Sequence, residues 1–357
     1  MTVAGQSAPS PGVTLVGAGL QIRTHDVLLQ HLRIRVGDAQ EGEDPEVRDG
    51  LGVIGEQFAQ LDVFGVVVDH CSMSWGVDET FSTWYAGVHD VTIAHSIISE
   101  GLARAGHPEG EHSKGLLIGD HNHRIAAIGN LLAHNRDRNP LVKGDASALL
   151  VNNLVYDHGI YPVTFGGKNA VPAWGTVLGN VLIPGASSTS ESKVFVVGDA
   201  APGTRLYLAD NRSPQATGDP WSLLEDDSRG AVRAAAPPVW VTPLTPRAGV
   251  DVEAWVLQNA GARPRDRDAV DVRIVSEVVQ RTGQIIDSQD DVGGWPALPE
   301  THRTLEAAGD EVGLAFPASP TIDSDGDGYT DLEEWLHACA TKVEVPGAAP
   351  EAPESMR

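Results

Sequence analysis

The sequence predicts an all-β protein, a right-handed parallel β-helix that is followed by short helices. The first observation is a strand-like segment that recurs seven times before about residue 215. The second is the composition: 39 glycines, 23 prolines and only 5% aromatic residues indicate many turns and few long helices. The third is a change after about residue 215, where runs with helical spacing first occur.

Each recurring segment has a short apolar strand, a polar His or Asn near its end, and a second short apolar run. The polar positions are His31, His70, His95, Asn130, Asn153, Asn180 and Asn211. A strand, a bend and a second strand per coil are typical of stacked parallel coils. We expect the Asn side chains to form a ladder in which each amide binds the next. A β-sandwich or a propeller is the alternative, but a sandwich should show tight Asn-Gly or Asp-Gly hairpin signals.

The chain divides into four predicted parts. Residues 1–215 form the β-helix, 216–318 an extension with short helices that pack on it, 319–341 a loop with an exit helix, and 342–357 a disordered tail. The runs VDVEAWVLQNAGA and RDRDAVDVRIVSEVVQRTG carry helical spacing. The second run ends at Gly283, and its expected apolar face consists of Val270, Val272, Ile274, Val275 and Val278.

Residues 323–334 read DSDGDGYTDLEE, which fills every ligand position of an EF-hand-type calcium loop. Such a loop needs hard oxygen ligands around a sharp glycine turn, which Gly328 supplies here. The predicted ligands are Asp323, Asp325, Asp327, Asp331 and Glu334, with the backbone carbonyl of Tyr329. A random acidic turn is the alternative. Because the preceding FPASPT is not helical, we expect a lone structural clasp rather than a sensor.

The formal net charge of −24 argues against sequence-independent nucleic-acid binding, which needs Lys and Arg to displace phosphate counterions. A polyanionic substrate is also repelled unless a cation bridges it. The chain lacks a run of about 18 apolar residues, so no membrane span is predicted. The first residues carry no signal-peptide pattern and begin directly in a strand-like segment, which is consistent with a longer natural protein. Cys71 and Cys339 could pair, but the sequence gives no geometry for a disulfide.

Two dense stretches are candidates for chemistry. DHCSMSWGVDET places Asp69, Asp78 and Glu79 close together, as a solvated turn, a metal site or a catalytic acid/base pair. HNRDRNPLVKG supplies Arg136 and Arg138, followed by Lys143, in an otherwise acidic chain. A basic surface turn is the alternative for this second stretch.

With these motifs in view, the chain resembles the pectate lyases of polysaccharide lyase family 1. VVVDHCSMSWGVDE looks like their V-W-I-D-H region, and RNPLVK looks like their R-x-P-x-x-R motif. GQSAPSPGVTLVGAGLQI and VLLQHLRIRVGD look like the first coils of bacterial members. The resemblance covers roughly residues 3–215. It implies a secreted enzyme, expected to be a monomer, that cleaves polygalacturonate, an acidic polysaccharide, by calcium-assisted β-elimination.

The resemblance also implies roles for single residues. Arg138 matches the base that takes the substrate proton, and Lys143 matches a second cationic position. Asp49, Asp78 and Glu79 are the implied calcium ligands, while Asp69 is implied to be mostly structural. The implied substrate contacts come from Arg136, Lys114 and Trp75, and the insertion that contains Lys114 also brings His107 and His112 near the cleft.

The chain departs from the family pattern at four positions. Lys143 replaces an arginine, so a bidentate carboxylate clamp becomes a point charge. Thr83 and Val47 stand where the family often has acids, and Val67 replaces a tryptophan. These departures leave another uronate polymer open as the substrate. Two other hypotheses are a non-catalytic carbohydrate-binding β-helix, which would not need the Arg138–Lys143 pair, and a hydrolase, which would need clustered carboxylates for acid and base work.

Overall fold

Three parallel sheets, which we name A, B and C, wind around one axis as a right-handed β-helix in a computed structural model of the chain. The structure describes residues 1–39, 42–57, 61–166, 171–189, 195–197, 203–226, 232–297 and 314–344. The chain runs from A to B to C and then starts the next coil, so that sequential strands lie in different sheets. The predicted fold is confirmed.

The strands of the three sheets are numbered in chain order. Sheet A contains β1 (Thr2–Ala4), β4 (Val27–Gln30), β7 (Val63–Asp69), β10 (Val88–Ala94), β13 (His123–Ile128), β16 (Ser147–Val151), β19 (Trp174–Leu178), β22 (Arg205–Ala209) and β24 (Val232–Arg233). Sheet B contains β2 (Val13–Val16), β5 (Leu32–Arg35), β8 (Ser72–Ser74), β11 (Ile97–Ser99), β14 (Leu131–Ala133), β17 (Leu154–Tyr156) and β20 (Val181–Ile183). Sheet C contains β3 (Leu20–Ile22), β6 (Leu51–Ile54), β9 (Glu79–Trp84), β12 (Lys114–Ile118), β15 (Leu141–Val142), β18 (Val163–Phe165), β21 (Phe195–Val197) and β23 (Leu224–Asp226).

The core lies inside the coils, because equivalent apolar residues stack from coil to coil. Val68 of β7 pairs in register with Leu29 on one side and Ile93 on the other, and the same column continues through Ala127 and Leu150. All five are buried members of one cluster. The paired strands of the described residues are all parallel, so the sandwich and propeller alternatives are wrong.

The predicted asparagine ladder is present at the bend between sheets A and B. The Asn130 side chain donates to Asn153, Asn153 donates to Asn180, and Asn180 donates to Asn211, at 2.9–3.0 Å. Because buried amides need partners, this chain of bonds fixes the register of successive coils.

The three histidines of the same prediction do not belong to this ladder, and that part of the alignment is wrong. They lie one residue earlier, as a separate stack in which the rings of His31, His70 and His95 face one another at 5.3 and 4.8 Å. The ladder instead continues through Ser96, whose backbone N–H donates to Asn130, and whose hydroxyl accepts from the Cys71 backbone. The histidines occupy the left-handed bend position, with φ of 45–58°.

Both predicted helices form and cover the outer face of sheet B. Helix α1 spans Gly249–Asn259 and α2 spans Ala269–Gln280, and their apolar residues share a cluster with those of β11, β14 and β17. Val270, Ile274 and Val278 are buried in this interface, whereas Val272 is 54% exposed, so its assignment to the apolar face is wrong. Val272 lies two residues from both Val270 and Ile274, which places it on the opposite side of a helix with 3.6 residues per turn.

A third helix, α3 (Asp331–Glu344), follows the acidic loop and returns to the coil stack. Short 3₁₀ turns occur at Gly5–Ser7, Pro45–Val47, Pro220–Leu223 and Gln289–Val292. The domain boundaries at residues 215, 318 and 341 stay predictions. Strands β23 and β24 of the β-helix lie beyond residue 215. Most of the tail that was predicted to be disordered lies outside the described residues. Cys71 and Cys339 are buried and unpaired with each other. Within the described ranges, no helix has the length and apolarity needed to cross a bilayer.

Candidate functional site

The candidate site lies at the corner where successive coils pass from sheet B to sheet C. The residues of this corner come from connections of different length, residues 36–50, 75–78, 100–113 and 134–140. Lys114 pairs with Glu79 on one side and bridges to Asp137 on the other, so charged residues of three coils stack in register. The parallel stack therefore places residues that are distant in sequence on one surface.

Three carboxylates converge here. Oxygen atoms of Asp49, Asp78 and Glu79 all lie within 4.8 Å of one another. Asp49 accepts hydrogen bonds from the Glu79 backbone N–H at 3.0 Å and from the Ser82 hydroxyl at 2.5 Å. Burial and then the neighbouring Asp78 charge raise the pKa of Asp49 to about 8 despite the Ser82 bond. The three acidic side chains therefore lie together, and the ionisation of Asp49 is disfavoured.

Arg138 is the cation that reaches this cluster. Its guanidinium contacts the Glu79 carboxylate, and its side chain keeps 22% of its surface exposed. Desolvation lowers the pKa of Arg138 below its ordinary value, although Asp78 and Asp49 act in the opposite direction. The residue has a left-handed backbone with φ of 59°, a conformation that it shares with other non-glycine residues at the bends of the coils.

Lys143 lies at the other end of the two-residue strand β15. Its ammonium group is 2.7 Å from Asp120 and sits 4.2 Å from the ring centre of Trp84. Trp84 spans the intervening coil over Gly119, where an added Cβ would lie 2.4 Å from the indole. Trp84 is half-buried. Sequence reasoning did not identify it as the aromatic residue next to Lys143.

Lys114 and Arg136, both predicted to bind substrate, are held in ion pairs. The Lys114 ammonium is 3.0 Å from Asp137, and Lys114 is 8% exposed. Arg136 lies 3.3 Å from Glu111 and lines an open cleft of about 850 Å³ together with Arg104, Ile160 and Asp287. Arg136 is thus on a cleft wall, whereas Lys114 belongs to the buried charge stack.

His107 and His112 form an unexpected second layer behind the carboxylates. Their rings stack at 3.6 Å, and both residues are buried rather than on a surface loop. Nε2 of His112 lies 2.7 Å from the Asp78 carboxylate and Nε2 of His107 lies 3.5 Å from it. Burial and the adjacent His112 lower the pKa of His107. These histidines therefore orient Asp78. This contact depends on how the insertion folds and was not predicted from the sequence.

The prediction that Trp75 binds substrate is wrong. Its side chain is fully buried under the helices of sheet B, where Nε1 donates to Glu100 at 2.9 Å and the ring meets Trp295 edge-on. The bend at Trp75 turns the indole away from the acidic cluster. Although Trp75 lies next to candidate site residues in the sequence, its side chain stabilises the fold.

The departures from the family pattern also have structural outcomes. Thr83 is buried and pairs in register with Val53 and Ile118, which are both core residues, so it cannot supply a ligand at the surface. Val47 is 54% exposed in a short 3₁₀ turn. Asp69 lies outside this corner and contacts His70 and His95 at 3.1 and 2.9 Å.

The acidic loop before α3 is folded around its own carboxylates. Asp323 accepts hydrogen bonds from the backbone N–H groups of Gly326 and Gly328, and Asp327 accepts from Tyr329. Gly328 has a φ of 103°. Oxygen atoms of Asp323, Asp325 and Asp327 lie within 4.8 Å of one another. The pKa of Glu334 is raised, chiefly by Asp325, which indicates that its carboxylate also approaches the group.

The chain is similar to curated fungal proteins along most of its length, although no protein-family model matches it. It is 28% identical over 356 residues to "Probable pectate lyase C" of Aspergillus flavus, covering 95% of this chain and 78% of that protein. It is 27% identical over 357 residues to the protein of the same name from Aspergillus fumigatus strain CBS 144.89, with the same coverage. Among solved structures, "Pectate lyase bound to hexasaccharide" matches with a TM-score of 0.49 and 14% identity, over 70% of this chain and 65% of that one.

Proposed function

We propose that this protein is a pectate lyase that cleaves polygalacturonate by calcium-dependent β-elimination. The observation that carries the proposal is the contact of Arg138 with a cluster of three carboxylates at one corner of a parallel β-helix. The similarity to fungal proteins named pectate lyase over 95% of the chain supports the same activity. The extracellular location expected for such an enzyme is part of the proposal.

The residues of the cluster fit a calcium ion. Asp49, Asp78 and Glu79 offer hard oxygen atoms within 4.8 Å of one another, the ligand type that calcium takes. Burial and the charge of Asp78 raise the pKa of Asp49, and a bound cation would favour its ionised form. When bound, calcium would be held by these carboxylates and would supply the positive charge that makes the uronate C5 proton more acidic.

Arg138 is the residue that we assign as the base. A free guanidine with a pKa above about 12 holds its proton too strongly for this role. Here desolvation lowers the pKa of Arg138, and its position against the cluster aims it at a sugar bound there. The guanidine takes the C5 proton, the C5–H electron pair forms the C4–C5 double bond, and the C4–O bond breaks. The departing oxygen takes a proton from solvent, and the new end is a 4,5-unsaturated uronide.

The remaining basic and aromatic residues hold the polymer beside this centre. Lys143 and Trp84 form one flank, where the ammonium can leave Asp120 for a substrate carboxylate and the indole offers a flat apolar face. Arg136 on the cleft wall forms the other flank. Lys114 acts indirectly by neutralising Asp137, the neighbour of Arg138, at 3.0 Å.

The loop of residues 323–334 is proposed to bind a second, structural calcium ion. Its support is the closeness of three aspartates, the glycine turn at Gly328 and the approach of Glu334. We expect metal–oxygen distances of about 2.3–2.6 Å at this loop.

The test is an assay of polygalacturonate with calcium at mildly alkaline pH, followed by the ultraviolet absorbance of the conjugated product. Arg138→Ala should lower the rate by about 10³-fold, since general-base catalysis contributes about 10² to 10⁴. Arg124→Ala is the matched control, because Arg124 is exposed on sheet A and pairs with Asp90. Lys143→Ala should mainly raise KM. Chelation of calcium should abolish the signal.

Each departure from this result has a separate meaning. New reducing ends without absorbance would show hydrolysis and reject the lyase. Absorbance with another uronate polymer, but not with pectate, would keep the mechanism and change the substrate. Binding of pectate without any cleavage would favour a carbohydrate-binding β-helix.

A further inference from the structure

The stacked histidines of the first coils meet the last turn of α3 at the bend between sheets A and B, whereas the proposed catalytic corner lies between sheets B and C. Nε2 of His31 lies 3.1 Å from the Glu344 carboxylate, and Nδ1 of His70 lies 3.6 Å from the same oxygen. Asp69 adds a second carboxylate, 3.1 Å from Nδ1 of His70. His31 is fully buried and His70 is 7% exposed, so these are built contacts rather than surface proximity.

The tautomer of His31 makes the contact with Glu344 unusual. Nδ1 of His31 lies 2.7 Å from the backbone carbonyl of Ala262. Because a carbonyl oxygen has no proton, Nδ1 carries the hydrogen, and Nε2 of the neutral ring presents a lone pair. That lone pair faces the Glu344 carboxylate, which is also an acceptor. Neither Nε2 of His31 nor Nδ1 of His70 makes a well-formed hydrogen bond within the described part of the chain.

We propose that His31, His70 and Glu344, with Asp69 beside them, bind a divalent transition metal ion such as Zn²⁺. Two imidazoles with carboxylates suit this class of ion, and a ligand histidine typically donates its other N–H to a carbonyl or carboxylate. Metal–ligand bonds of about 2.0–2.2 Å in a tetrahedron separate neighbouring ligand atoms by about 3.4 Å. The spacings of 3.1 and 3.6 Å around Glu344 bracket this value.

The pair His107 and His112 with Asp78 does not share this property. The backbone N–H of Glu109 donates to Nδ1 of His107 at 3.2 Å, so Nε2 of His107 carries the hydrogen and turns it toward Asp78. Nε2 of His112 is at hydrogen-bond distance from the same carboxylate. A proton therefore lies between each histidine and Asp78, whereas the neutral His31 ring offers no proton to Glu344.

The metal would join the C-terminal helix to the start of the β-helix. Helix α3 already touches the chain there, since the backbone N–H of Arg265 donates to the Val343 carbonyl at 3.0 Å. Glu344 is the residue of α3 that reaches the histidine stack. Occupancy should therefore slow hydrogen exchange in α3 without changing the coils.

The experiment titrates the full-length protein with Co²⁺ and Zn²⁺ in excess Ca²⁺, which keeps the acidic clusters saturated. We expect one equivalent to bind, a visible d–d spectrum typical of tetrahedral Co²⁺ that Zn²⁺ displaces, and slower amide exchange in α3. His31→Gln and Glu344→Gln should each weaken binding at least about 100-fold. His121→Gln is the matched control, because His121 is an exposed histidine 2.8 Å from Asp145; it should bind like wild type.

Glu344 ends a helix and is 30% exposed, so Glu344→Gln keeps the proposal testable if His31→Gln fails to fold. Absence of saturable binding to wild type would overturn the proposal, as would binding that both variants retain. Attachment of α3 that is lost at alkaline pH whether or not Zn²⁺ is present would show a protonated His31–Glu344 ion pair only, and would also overturn it.

Discussion

Two places on the outer surface of the coils contain buried aspartates whose pKa values shift in opposite directions. Under α2 on sheet B, Asp271 lies 2.8 Å from Arg35, and the Ser72 hydroxyl donates to it at 2.7 Å. Its desolvation is outweighed by Arg35 and Arg33, which lower its pKa. At the corner before sheet C, Asp49 is also desolvated, but the strongest charge acting on it is that of Asp78, and its pKa rises to about 8.

The difference teaches that burial alone does not identify a site. Both aspartates are removed from water, and the sign of the pKa shift follows the charge of the neighbours. On sheet B the arginines complete the ion pairs and leave little capacity for a ligand. At the corner, three carboxylates lie together with a single arginine, Arg138, so the acidic groups outnumber the arginine. A cation is attracted to the second arrangement and not to the first.

The largest expected effect on stability comes from a substitution in the ion pairs under α2. Asp271→Asn removes one of the two carboxylates, with Asp268 as the other, that compensate two fully buried arginines. Loss of one partner from a buried charge group costs up to about 3–5 kcal/mol. Urea denaturation should show this loss in the free energy of unfolding. Asp251→Asn, at an exposed position in α1, should change it by less than about 1 kcal/mol. A loss below about 1 kcal/mol in Asp271→Asn would contradict the comparison.

A second paired group makes stability depend on pH. Burial alone would lower the pKa of His134, but Asp157 at 2.8 Å and Glu277 at 3.4 Å raise it to about 9. Because the folded-state pKa exceeds the unfolded value of about 6.5, the stabilisation is fully present below pH 6.5 and is lost as pH rises through about 9. We expect this stabilisation to be about 3 kcal/mol.

Denaturation curves between pH 6 and pH 10 test this term, with His134→Gln as the partner variant. The variant should be less stable at low pH and should approach wild type above pH 9. Parallel pH profiles for the two proteins would show that His134 is not the titrating group.

At the corner that contains Asp49, removal of a buried carboxylate should raise stability rather than lower it. Asp49→Asn removes a carboxylate whose ionisation is opposed by burial and by Asp78, so without calcium it should stabilise the protein at pH 9 by about 1 kcal/mol. With calcium, the same variant should lose most of the lyase activity. Asp62→Asn, which removes an exposed charge, should do neither. Thermal melts with and without chelator measure the first effect, and destabilisation without calcium would refute it.

The smallest effect is expected at the exposed C-terminal loop. Asp325→Ala should lower the melting temperature in calcium by less than about 2 °C, because ligand binding stabilises only the folded loop and its helix. Calcium titration should show the loss of one binding site while the rate of pectate cleavage is retained. A melting curve of the wild type that does not respond to chelator would contradict a structural ion there.

Sequence reasoning predicted the features that recur from coil to coil. It did not predict the side-chain contacts made by the insertions and by the helices that pack on the coils. The asparagine ladder follows from residues that recur at each coil, whereas the grouping of Asp49, Asp78 and Glu79 with Arg138 was expected from the family resemblance. Trp75 was misassigned because the bend that carries it turns toward the helices, and helices remote in sequence decide its burial. Thr83 faces the core because of strand alternation, a parity that depends on where β9 begins. The contact of His112 with Asp78 depends on the path of the loop of residues 100–113, which has no repeat pattern.

The bend between sheets A and B has a consequence for how such a chain can evolve. The ladder joins residues separated by 25, 34, 23, 27 and 31 positions, yet its hydrogen bonds are continuous. From β7 to β20 that bend always has two residues, so the variation in coil length falls in the strands and at the other two corners. Insertions there leave the register intact and can carry new side chains, as His107 and His112 show. One corner thus preserves the architecture, while the others can acquire or lose specificity by insertion and deletion.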